Sequence, residues 1–177
     1  MTHKSVYAIV TNEAKATEIV DELTRKGFSN NDISVLLPDK GSTHQFSHEK
    51  HTKAPEGAVT GATTGGAVGG VLGLLVGIGA LAIPGVGPLI AAGPLLAALS
   101  GAAAGAAAGG ITGALIGMGI PEIEAKRYEN RIAEGNILIS VLAKTGDEVG
   151  RAKKVLELCG AEDISSTSIG EAQVAHH

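Results

Sequence analysis

The stretch GAVTGATTGGAVGGVLGLLVGIGALAIPGVGPLIAAGPLLAALSGAAAGAAAGGITGALIGMGIP, residues 57–121, decides how this chain is read. No Asp, Glu, Lys, Arg or His interrupts it between Glu56 and Glu122, and it holds 19 of the protein's 26 glycines. An uncharged run of this length exceeds the roughly 20 residues that one membrane-spanning helix needs. Pro84-Gly85-Val86-Gly87-Pro88 breaks it near the middle, so the expected form is two apolar helices joined by a tight turn.

The glycines recur every fourth residue. In the first arm they fall at Gly57, Gly61, Gly65, Gly69, Gly73 and Gly77, and in the second at Gly101, Gly105, Gly109, Gly113 and Gly117. Positions four apart share one face of a helix, so each arm carries a smooth stripe without side chains. Such stripes let two backbones approach closely, which is the geometry of a glycine zipper. The other faces carry Val68, Val71, Leu72 and Leu75, then Leu115, Ile116 and Met118. Glycine costs up to about 1 kcal/mol relative to Ala in an exposed helix interior, so the pattern suits an apolar surrounding. Two surroundings fit: a lipid bilayer, or the dry central bundle of a soluble oligomer. The period of four excludes collagen.

Outside this block, 56 residues precede and 56 follow, with a formal net charge of -4 for the whole chain. Neither flank alone buries much surface, whereas together they make one small domain. The single Cys159 excludes an intramolecular disulfide and favours a reducing compartment. The mild acidity and the lack of a basic patch argue against nucleic acid. The first apolar run, Val6–Val10, is followed at once by polar residues and lacks a signal-peptide pattern. Lys50, Lys53, Lys126, Arg127 and Arg131 flank the block at both ends, while the central turn has no positive charge. A spanning hairpin would therefore place both termini in the cytoplasm, and its membrane would be the bacterial inner membrane. A cytoplasmic soluble oligomer is the alternative.

Residues 5–10 read as a strand, followed by a helix in which Ala16, Ile19, Val20 and Leu23 recur at helical spacing. Gly27 closes that helix, and Ile33–Leu37 is a second strand stopped by Pro38. After the block, Pro121 opens a helix whose expected buried side is Ile123, Tyr128 and Ile132. Ile137–Leu142 is the clearest strand. A helix with Val149, Ala152, Val155, Leu156 and Cys159 on its apolar face follows, then Gly160 and a serine-diluted strand over Ile164–Ile169. The flanks echo each other: strand, helix, glycine, then Asn31-Asp32-Ile33-Ser34 in one and Glu162-Asp163-Ile164-Ser165 in the other. Two such units predict an α+β fold, a ferredoxin-like split βαβ domain interrupted by a long glycine-zipper helical hairpin. Its parts would be 1–56, the first half with a polar connector; 57–120, the hairpin; 121–170, the second half; and 171–177, a tail. Deleting 57–120 is then expected to leave a folded domain.

Val6–Val10, the helix through Leu23, Gly27-Phe28 and Asp32-Ile33-Ser34-Val35-Leu36 resemble the N-terminal domain of the bacterial heat-induced or general stress protein family. Gly135–Val141 and Gly160-Ala161-Glu162-Asp163-Ile164 resemble the second half of related proteins, in which a glycine-rich apolar segment likewise separates the halves. The resemblance implies a stress association, and it brings no catalytic residues and no cofactor.

The polar residues offer little chemistry of their own. His44, His48 and His51 are spaced four and then three apart, so a helix there would gather three imidazoles able to bind zinc or a similar metal. A solvated connector is the simpler reading of that segment. The glycine block is no phosphate-binding loop, for it contains no lysine. Cys159 lies on the apolar side of its helix, which favours an inert packed thiol. No Ser–His–Asp set or carboxylate pair stands out. The expected protein is therefore non-enzymatic, a membrane-associated stress or scaffold protein whose partners are the lipid bilayer and further copies of itself. A small-molecule-sensing domain is the alternative by fold analogy.

Overall fold

The computed structural model describes residues 3–38, 78–83, 87–95 and 103–169. The elements are β1 (His3–Val10), α1 (Glu13–Arg25), β2 (Ile33–Pro38), β3 (Ile78–Ile83), β4 (Gly87–Ala92), α2 (Ala103–Gly117), α3 (Glu122–Ala133), β5 (Ile137–Ala143), α4 (Gly146–Leu158) and β6 (Glu162–Ile169). The strands form one antiparallel sheet in the order β3-β4-β2-β5-β1-β6.

Local chemistry sets the ends of the helices that follow β1 and β5. The Asn12 side chain accepts a hydrogen bond from the Lys15 amide at 2.8 Å, capping α1. Thr145 does the same for the Glu148 amide at 3.2 Å, and the Glu148 carboxylate accepts from the Lys144 amide at 2.6 Å. Gly27 and Gly160 leave these helices at positive φ, +92° and +73°. Ala16, Ile19, Val20 and Leu23 of α1 and Ala152, Val155 and Leu156 of α4 are buried, as their spacing predicts.

Alternation along the strands sorts the core into two layers. Val6, Ala8, Val10, Ile33, Val35, Ile137, Ile139 and Val141 face α1 and α4. Tyr7, Ile9, Leu36 and Leu138 meet a second set comprising Leu89, Leu95, Ile111, Leu115, Ile120, Tyr128 and Ile132. Both faces of the sheet are thus covered, and the second cover comes largely from the apolar block.

This corrects the helical hairpin. Residues 78–83 and 87–92 are not helices but β3 and β4, paired from Ile83↔Gly87 to Ile78↔Ala92. Strand β4 also pairs with β2, from Pro38↔Leu89 to Val35↔Ala92. A strand buried on both faces, as β4 is at Leu89–Ala92, reads as a continuous apolar run without alternation, which sequence periodicity does not separate from a helix. Gly93 is the hinge out of β4: it sits at φ +80°, and a Cβ there would lie 2.2 Å from the Ile33 carbonyl oxygen. The second arm is helical but not continuous. Gly110, at φ 59° and ψ −153°, breaks α2 into 103–109 and 111–117. A second correction concerns α3, where Ile123 is 78% exposed and Ala125 takes its expected place beside Tyr128 and Ile132.

Two expectations follow for stability. Gly93→Ala should cost roughly 2–4 kcal/mol, combining left-handed strain with overpacking, read as a lowered denaturation midpoint. Deleting 57–120 should abolish cooperative melting, contrary to the expectation from sequence, because it strips β3, β4 and α2 from Tyr7, Ile9, Leu36 and Leu138.

Candidate functional site

The second face of the sheet carries a buried polar row. Ser34 of β2 lies opposite Ser140 of β5, Ser140 opposite Tyr7 of β1, and Tyr7 opposite Ser165 of β6. Strand pairing alone brings these four residues into line across the sheet. Ser5, Ser34 and Ser140 are buried together with Tyr7. Buried hydroxyls need partners. The Leu95 amide donates to Ser34 Oγ at 3.0 Å, which ties the segment after β4 to the sheet. Burial pushes the Tyr7 phenol above its ordinary value, against the smaller downward pull of hydrogen bonds with Ser5 and Ser140.

Tyr128 of α3 extends this row. Its ring centroid is 6.2 Å from that of Tyr7. Its hydroxyl donates to the Asp163 carbonyl at 2.9 Å and lies 2.6 Å from Ser165 Oγ. Asp163 adopts φ 50° where the pairing of β6 with β1 shifts register, so its carbonyl is turned toward Tyr128 by a bulge. Around it, Arg131 pairs with Glu162, with Asp163 at 3.5 Å and with Glu134 at 3.6 Å, and Arg127 pairs with Asp163 at 3.5 Å. Burial is the main cause that pushes the Tyr128 phenol up to about 12. Both tyrosines are therefore held neutral, the opposite of what a basic or nucleophilic phenolate needs. This row orients the sheet and α3 rather than offering a reactive group.

The Glu129 carboxylate of α3 accepts hydrogen bonds from the Thr112 amide, at 3.2 Å, and from the Thr112 hydroxyl. It caps the helical piece that starts after the Gly110 break, a tertiary cap supplied from another helix. Thr167 donates to the Gly119 carbonyl at 2.7 Å and fastens the α2–α3 connection to β6.

The residues singled out from sequence are placed as follows. His44, His48 and His51 and the row Gly57, Gly61, Gly65, Gly69, Gly73 and Gly77 lie outside the described residues, as does Gly101. Gly105 and Gly109 precede the break in α2, and Gly113 and Gly117 follow it, so the row does not run along one continuous helix. A Cβ at Gly113 or Gly117 would meet nothing within 4 Å, so among the described residues these two face open space. Ile116, between them, is 42% exposed. Among the described residues, no cluster of three or more His, Cys, Asp or Glu is placed to hold a metal ion. Burial, then Glu18 and Glu22, push the Cys159 thiol up, which disfavours the reactive thiolate. A cleft of about 420 Å³ lies between Asn12, Glu13, Leu37, Pro38 and Ile137; among the described residues that line it Glu13 is the one charged side chain, and the Asn12 side-chain oxygen is committed to the helix cap.

The sequence reading missed the polar row, although its members carry a signal. Ser34 and Ser140 interrupt otherwise apolar strands, Ser5 directly precedes the apolar run of β1, and Tyr7 and Tyr128 are the protein's two tyrosines. Their alignment depends on register, which no single strand encodes.

A mixed helix-and-sheet protein with both sheet faces covered is the class that these elements define. Residues 5–81 match the heat induced stress protein YflT domain, in keeping with the resemblance read from β1, α1 and β2. The match ends inside β3. No curated protein and no solved structure matches the chain. Among the described residues, no helix is long and apolar enough to cross a membrane.

The Tyr128 environment predicts a pH dependence. Because the folded-state value is raised from 10.0 to about 12, the stabilisation is complete below pH 10 and is lost as the pH climbs through that interval. Tyr128→Phe should lower stability by about 1–2 kcal/mol at neutral pH and flatten the alkaline decline, as read in urea melts from pH 8 to 12.

Proposed function

We propose that this is a non-enzymatic, stress-associated protein that acts by self-assembly, a ferredoxin-like module whose glycine-rich segment makes contacts between copies. The strand order β6-β1-β5-β2, with one helix after β1 and one after β5, supports the ferredoxin-like reading. The match to a heat-induced stress family supports the stress association. The observation that carries the assembly reading is the open face of α2. Gly113 and Gly117 lie there beside half-exposed Ile116, and a helix from another copy could approach its backbone closely.

A bilayer as apolar partner is the second reading, favoured by residues 57–77, which hold no charged side chain. Flotation with anionic and zwitterionic vesicles separates the two: co-flotation of the full chain favours the bilayer, and a detergent-free oligomer that stays at the bottom favours self-assembly.

The assembly test uses Gly113→Leu and Gly117→Leu. Each added side chain starts in open space, so the far-UV spectrum and melting should be unchanged within about 1 kcal/mol, glycine's lower helix propensity aside. Light scattering should show a smaller particle than wild type. Unchanged mass in both variants would remove α2 from the contact.

A further inference from the structure

We propose that the outer edge of β3 is a pairing surface for a second copy of the chain, joining two sheets across a two-fold axis at Ala80. This rests on the self-assembly reading above but places the contact on the sheet edge instead of on the glycine face of α2.

Two prolines, Pro38 and Pro88, set the hydrogen-bonding phase of this edge. Pro88 has no amide hydrogen, so its pair with Ala82 is a non-hydrogen-bonded one. Antiparallel pairs alternate, so Ile83↔Gly87, Leu81↔Leu89 and Gly79↔Ala91 are the hydrogen-bonded pairs of β3 with β4. The same phase directs the amides of Ile90 and Ala92 toward β2. It also leaves Pro38, opposite Leu89, where no bond to β4 is needed. The N–H and C=O groups of Ile78, Ala80 and Ala82 therefore point away from β4, out of the sheet. Among the described residues β3 has β4 as its one strand partner.

The two edges of the sheet differ. Strand β6 opens with Glu162 and Asp163, and Asp163 sits in a bulge at positive φ, held by Tyr128 and flanked by arginines. Charges and bulges of this kind block further pairing. Strand β3 reads Ile-Gly-Ala-Leu-Ala-Ile, with no charge and no proline. It is also self-compatible. A two-fold axis at Ala80 sets Ala80 against its own copy, and Ile78 against Ala82 of the partner subunit, so all three outward residues find hydrogen-bonded partners. A charged residue on the axis would face itself; Ala80 is small and neutral. With β6 guarded, the assembly closes at two copies and does not extend into a fibre.

The test is the mass of the full-length protein by sedimentation velocity, without detergent. Wild type should be a dimer. Ala80→Pro removes an outward amide and no bond to β4, so it should halve the mass and keep the wild-type far-UV spectrum. Should proline disturb β3 itself, a second variant decides: Ala80→Cys in a Cys159→Ser background should form a covalent dimer under mild oxidation. A wild-type monomer would overturn both this proposal and the self-assembly reading. A folded Ala80→Pro dimer, or no cross-link through residue 80, would overturn edge pairing alone. If Gly113→Leu then reduces the mass, the broader reading stands without it.

Discussion

Strand β5 must bury apolar side chains on both of its faces, and the rest of the architecture answers that constraint. Ile137, Ile139 and Val141 turn toward α1 and α4, while Leu138 turns toward the layer that includes α2 and α3. Lying between β1 and β2, it fixes the register of both. Two βαβ halves supply helices for one face alone. The other face would leave Tyr7, Ile9, Leu36 and Leu138 in water, and each exposed large apolar side chain forfeits about 1.5–3 kcal/mol. The chain meets this need with Leu89, Leu95, Ile111, Leu115 and Ile120, all from the uncharged block, and with α3.

The glycines have different uses along the block. Gly93 lets β4 leave the sheet at a point where a Cβ would collide with the Ile33 carbonyl. Gly110 turns α2 sharply, and the helical piece beyond it receives its cap from Glu129 instead of from a neighbouring residue in sequence. Gly113 and Gly117 face outward. Glycines of one apolar block therefore serve at a close approach, at a break and on an open face. The polar row from Ser34 to Ser165 adds order to the second layer. Its hydroxyls need partners at defined places, and Tyr128 and Leu95 satisfy them by docking in one register.

Much of the first layer was legible in the chain. Asn12 and Thr145 as caps, Gly27 and Gly160 as helix ends, and the apolar sides of α1 and α4 all follow from local rules, because those helices are amphipathic and solvent marks their outer faces. The second layer was not. Residues 78–92 are apolar throughout, so neither a two-residue nor a four-residue period stands out where strand pairs with strand. The run at Val6–Val10, and that at Ile137–Leu142 with Ser140 its one polar residue, did hold a clue: a strand wet on one face alternates, and these barely do. For the candidate sites, the glycine row was visible as spacing, whereas the open surroundings of Gly113 and Gly117 and the break at Gly110 were not.

The sequence by itself determined the elements whose limits are written in neighbouring residues: four flank strands, the capped helices between them, and the likeness of residues 5–81 to a stress-protein domain. Tertiary structure alone decided that part of the apolar block becomes two strands and a broken helix. It alone aligned Ser34, Ser140, Tyr7 and Ser165 across four strands. The physical reason is that backbone hydrogen bonds and apolar burial are satisfied equally well by helix or sheet in such a segment. The choice falls to whatever surface waits to be covered, and that surface is assembled from residues far apart in the chain.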